Sequence, residues 1–134
     1  MKKFLVNGEK RSGTTFMANF LNSQENIVCY ADFVKTPFLI AKKLNINDYK
    51  RKLIEQEKNI LYSNFKAQCD GMNIPIYKNF SQENFFSIDD FLNLAFRAIA
   101  DFSGKSAELV GIKMTNYPEN IIKLLELNYK IIYL

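Results

Sequence analysis

Four short runs of this chain are apolar almost from end to end: KFLVN at residues 3–7, NIVCYA at 26–31, ELVGIKM at 108–114 and KIIYL at 130–134. Strands that are apolar on both sides must be buried on both faces, which is the condition of a parallel sheet enclosed by helices rather than of an antiparallel sheet with one wet face. The segments between the runs have helical periodicity. Phe16, Met17, Phe20 and Leu21 recur at helical spacing after residue 14, and residues 33–44 form a short helix interrupted or re-entered at Pro37. Residues 48–66 carry Tyr49, Leu53, Ile60, Leu61 and Phe65 among charges, with Asn47 or Asp48 as the N-cap. Residues 68–87, with Gly71 and Pro75, read as a loop with one short extended piece at IPIY. Ser87 and Asp90 predict a capping box opening a helix from Ile88 to about Phe102 that Gly104 closes, and Pro118 opens a helix over residues 117–127. Alternating strands and helices of this kind define the α/β class.

At 134 residues the chain suits a single domain, residues 1–134, with its own core. It ends inside an apolar strand with no closing helix, as a domain truncated at its C-terminus would. The net charge of +4 is spread along helical segments and forms no run resembling a nucleic-acid arm. Two cysteines far apart and no histidine argue against a zinc site, and reduced thiols suit a cytoplasmic protein. The opening MKKFLVNGEK breaks at Asn7, too early for an export signal or a membrane span.

The chemistry concentrates in the stretch FLVNGEKRSGTTFMANFL, residues 4–21. A strand that turns through a glycine-bounded loop into a helix aims free backbone N–H groups and the positive helix end at one point, which attracts phosphate. Gly8 and Gly13 keep the G-x-x-x-x-G spacing of the nucleoside-triphosphate loop, but Thr14 and Thr15 follow where that loop has Lys and then Ser or Thr. Lys10 and Arg11 instead place cations before the second glycine. Such a loop suits a single phosphate or phosphate ester better than a β,γ-phosphate pair with magnesium. A tight strand-to-helix turn kept for packing is the plain alternative.

KRSGTTF, residues 10–16, resembles the 5′-phosphosulfate loop of sulfotransferases, whose common forms are P-K-S-G-T-T-W and P-R-S-G-T-T-L. It is most similar to the arginine form of tyrosylprotein sulfotransferases and related bacterial enzymes, with Lys10 in the place of proline. The resemblance implies a three-layer, P-loop-like fold. It implies 3′-phosphoadenosine 5′-phosphosulfate as cofactor without a metal, bound by Lys10, Arg11, Ser12, Gly13, Thr14 and Thr15. It also implies transfer of a sulfuryl group to a hydroxyl or amine of a small-molecule, carbohydrate or peptide acceptor. Arg11 would cover the leaving phosphate oxygen. Asp32, just after the second strand, would be the base, although it equally suits the N-cap of the helix from Phe33. Lys113, at the end of the third strand, would lie near the transferred group, or simply snorkel from a strand end. The family's second cofactor motif, an Arg in R-D-P or R-N-P with a later Ser, has no counterpart in these residues. The alternatives are a nucleotide or small-molecule kinase with a degenerate loop and a non-catalytic phosphate-binding domain.

Overall fold

A computed structural model describes residues 2–8, 13–31, 35–74, 85–115 and 118–133. Nine elements follow one another among them: β1 (Lys2–Gly8), α1 (Thr14–Asn22), β2 (Ile27–Ala31), α2 (Lys35–Lys43), α3 (Glu55–Gly71), α4 (Ile88–Ser103), β3 (Leu109–Thr115), α5 (Pro118–Glu126) and β4 (Lys130–Tyr133). The four apolar runs are the four strands, and every pairing between them is parallel, in the order β2-β3-β1-β4. The α/β class with a parallel sheet and helices is therefore observed. By density of contacts the chain forms two compact units, one of Met1–Phe33 with Ile99–Leu134 and one of Val34–Ala98.

The first unit contains the sheet. Register pairs Val6 with Lys113, and Lys113 with Ala31, so these positions share one face. On that face Phe4, Val6 and Cys29 bury against Ala18 of α1, with Met17, Leu21, Ile27, Leu109 and Ile132 closing around them. Gly111 permits the packing, because a Cβ there would come within 2.5 Å of the Phe4 ring. Leu5, Val28, Val110, Ile112 and Met114 are buried on the opposite face, as two-sided burial of parallel strands requires. α1 departs from the apolar face expected of it. Met17, Ala18 and Leu21 meet the sheet, while Phe16 and Phe20 are 74% and 55% exposed. Four apolar residues in two adjacent pairs span more of the helix circumference than one sheet can cover, and the smaller Ala18 takes the central contact. The C-terminal end of α1 is closed by the Lys105 ammonium, which donates to the carbonyls of Asn22, Gln24 and Ile27.

The second unit is helical and holds a phenylalanine core. The Phe91 ring meets Phe65 and Phe85 edge to face, at centroid distances of 5.1 and 4.9 Å. Pro37 lies in the first turn of α2, where its missing N–H costs nothing, so the helix runs uninterrupted. α3 corrects the predicted helix over residues 48–66. Asp48 Oδ1 accepts from the N–H of Lys50 in a local turn, and the helix begins only at Glu55, running on to Gly71. Its start is fixed by Glu57, whose carboxylate accepts the Ile54 N–H at 3.0 Å and holds Arg51 by two bonds of 3.1 and 2.9 Å. The expected loop therefore begins after Gly71, and the IPIY stretch lies outside the described residues apart from Ile74. Lys58 is buried with its ammonium 5.6 and 5.3 Å from the Phe85 and Phe86 rings and 3.7 Å from Glu55. Ser87 opens α4 as expected: its hydroxyl accepts the Asp90 N–H at 3.1 Å. The return bond reaches one residue further back than in a standard box, from the Phe86 N–H to Asp90 Oδ2. Gly104, at φ +71°, follows the end of the helix.

Candidate functional site

The strand order creates a place for a ligand before any side chain is considered. From β1 the chain passes over β3 to reach β2, whereas from β3 it passes β1 to reach β4. The two connections leave adjacent strands in opposite directions, and the crevice outside the carboxyl ends of such strands is where open α/β sheets bind ligands. β1 ends there at Gly8, paired with Thr115 at the end of β3.

α1 starts at this end. Its N-cap, Gly13, has φ +88° and ψ 15°, a left-handed conformation that costs a residue with a side chain about 1–2 kcal/mol. A Cβ at Gly13 would meet nothing within 4 Å, so the backbone angle and not crowding accounts for the glycine. The Gly13 carbonyl accepts the Met17 N–H at 3.0 Å, beginning the helical ladder. Among the described residues no side chain caps the helix, and no acidic residue lies in its first turn. The leading N–H groups, including those of Thr14 and Thr15, thus face the carboxyl end of the sheet with the positive end of the helix dipole uncompensated by a carboxylate of that turn. Thr14 is buried and Thr15 exposed. The two threonines that looked equivalent in sequence therefore differ in reach: only Thr15 opens its side chain to solvent.

Lys113 is buried on β3, on the same sheet face as α1 and two residues before the Gly8 pairing partner Thr115. Lys10, Arg11, Ser12 and Asp32 lie outside the described residues. The structure thus brings Gly13, Thr14, Thr15 and Lys113 to one end and one face of the sheet. Sequence reasoning passed over Asn7, which is 1% exposed and whose Oδ1 has no hydrogen-bond partner among the described residues. Its register partner Met114 places it on the face opposite Lys113. An amide in an otherwise apolar strand was the available signal, since buried acceptors are nearly always satisfied by protein, water or ligand.

The thiols are unsuited to chemistry. Burial pushes Cys29 up to about 12 and Cys69, with a smaller contribution from Asp70, up to about 11, which keeps both protonated and unreactive. Among the described residues no group of three Cys, Asp or Glu could hold a metal ion, and no helix is long and apolar enough to cross a membrane. No family model, no curated protein and no solved structure matches the chain.

Proposed function

We propose that the carboxyl end of the sheet binds the phosphate end of 3′-phosphoadenosine 5′-phosphosulfate and that the protein is a sulfotransferase. The observation that carries this reading is the start of α1: a left-handed glycine and an uncapped first turn directly after an inner parallel strand, in a segment whose sequence KRSGTTF resembles the 5′-phosphosulfate loop. The donor set suits the group. Backbone N–H groups of Thr14 and Thr15 and the exposed Thr15 hydroxyl bind phosphate oxygens without a metal, and the buried Lys113 adds a cation on the same face of the sheet.

The cofactor, when bound, supplies the sulfuryl group and a phosphate as its leaving group. The chain's own part is electrostatic and acid–base. The α1 amides hold the phosphate in register, and Arg11 neutralises charge growing on the departing oxygen. Asp32 removes the proton from the acceptor hydroxyl or amine. Lys113 holds negative charge near the group being transferred. The absence of a lysine after Gly13 disfavours a β,γ-phosphate pair with magnesium, and with it the kinase alternative.

Calorimetric titration of the protein tests the reading. Adenosine 3′,5′-bisphosphate is expected to bind more tightly than ATP with magnesium, and the reverse order would assign the loop to nucleoside triphosphates. In a sulfuryl-transfer assay on the protein, Arg11→Ala is expected to lower turnover by roughly 10²- to 10³-fold. Unchanged activity and binding would leave the loop a structural turn.

A further inference from the structure

At the other end of the sheet the chemistry reverses, from donors aimed at a small anion to a wide basic groove. Lys2 and Lys3 of β1 and Lys130 of β4 line a hollow of about 700 Å³ together with Leu125, Tyr129 and Ile131. Among the described residues that line it there is no carboxylate. Lys130 pairs with Phe4, so Lys2, two residues earlier on β1, lies on the same face, about 8 Å away by strand geometry. Two lysines rooted that close on one face can both reach a single anion, which relieves their mutual repulsion. Lys3 is held with its ammonium 4.5 Å over the Tyr129 ring. Half of the rim is apolar: Leu125 is 54% exposed on α5.

A second hollow opens from the same lysine. Phe4, Leu21, Ile27, Leu109 and Ile132 line an open hollow of about 130 Å³ on the α1 side of the sheet, and Lys130 is the only charged residue among the described ones that line it. An apolar space of about this size accommodates one hydrocarbon group, as a 150 Å³ cavity of similar lining takes up benzene. β4 is an edge strand, with no strand on its outer side among the described residues.

We propose that this rim docks an acidic peptide segment bearing one apolar anchor, its carboxylates on Lys2 and Lys130 and its anchor side chain in the 130 Å³ hollow. The shared Lys130 ties the two recognition elements together. A bare phosphate or polyanion leaves the apolar hollow unused, and an uncharged apolar ligand leaves the lysines unused; a peptide with both features uses both. Recognition at this end is independent of the nucleotide reading, because it involves none of the residues assigned to that site.

Fluorescence anisotropy with a labelled, glutamate-rich decapeptide containing one central leucine provides the test. The protein is expected to bind it, with at least tenfold weaker affinity in the Lys2→Glu/Lys130→Glu variant and at least fivefold weaker affinity when the peptide leucine is replaced by serine. Both lysines are exposed, so the variant should keep the wild-type circular dichroism and melting temperature, and Lys2→Ala/Lys130→Ala serves if it does not. Affinity should also fall as salt is raised. Absence of binding at millimolar peptide, or equal binding by the charge-reversed variant, overturns the proposal. Equally tight binding of the serine peptide or of inorganic polyphosphate overturns it in favour of a plain polyanion patch. Self-association of the protein without peptide in analytical ultracentrifugation, lost in the Lys2→Glu/Lys130→Glu variant, overturns it in favour of a second copy of the chain.

Discussion

α1 and α4 begin in opposite ways. α4 is completed from within, with the Ser87 hydroxyl and the Asp90 carboxylate bonded to backbone amides and Asp89 and Asp90 in its first turn. α3 follows the same plan through Glu55 and Glu57. α1 starts on a left-handed glycine, with no side-chain cap among the described residues and no acidic residue in its first turn. Its other end is closed by Lys105. The chain thus supplies α3 and α4 with carboxylates at their first turns, and leaves α1, which follows the inner strand β1, without one. A helix end left positive there is suited to an anion from outside.

The contrast can be broken most forcefully with ligand. Adenosine 3′,5′-bisphosphate at a hundred times its dissociation constant should stabilise the protein by about 2.7 kcal/mol, read as a rise in melting temperature. Gly13→Ala should abolish that gain and, without ligand, cost about 1–2 kcal/mol in urea denaturation, because alanine is strained at φ +88°. Ser87→Ala should cost about 1 kcal/mol through the lost cap while leaving the ligand gain intact. Thr15→Asp supplies α1 with the carboxylate it lacks: stability without ligand should rise by roughly 0.3–1 kcal/mol, and the ligand gain should shrink. A rise without any loss of ligand response would mean that the anion binds elsewhere.

The smallest effect belongs to α3. The Arg51 hydrogen bonds, and then the Ile54 N–H, hold the Glu57 carboxyl below the usual glutamate range. A carboxyl with a lowered folded value stabilises fully above the unfolded value of about 4.3 and loses that contribution as pH falls through the folded one. Glu57→Gln should therefore flatten the acid limb of the stability curve slightly, with no change at neutral pH in ligand binding.

Much of this was legible in the residues. Continuous apolar runs announced a sheet buried on both faces, and the glycine-bounded turn announced a helix start without a cap. Ser87 announced the start of α4 because its hydroxyl and the N–H three residues on are fixed in geometry by the helix itself. The start of α3 was misread because Asp48 is chemically a good cap but satisfies the Lys50 amide instead, while the actual start relies on a glutamate within the helix, reaching backward. Phe16 and Phe20 share helical spacing with Met17 and Leu21 yet stay exposed, because hydrophobicity alone does not show which of two apolar stripes the sheet will cover. At the site, the burial of Lys113 and of Asn7 follows from strand order and register, which pair residues a hundred positions apart and leave no local signature.

Amide chemical shifts of the isotopically labelled protein, followed by NMR while adenosine 3′,5′-bisphosphate is added, address the start of α1 directly. The Thr14 and Thr15 N–H resonances should move downfield and saturate together, while the amides of Phe86 and Asp90 at the start of α4 stay in place. If the α1 amides remain unmoved at saturating nucleotide, or move no more than those of α4, the first turn of α1 does not hold a phosphate and the proposed function is contradicted.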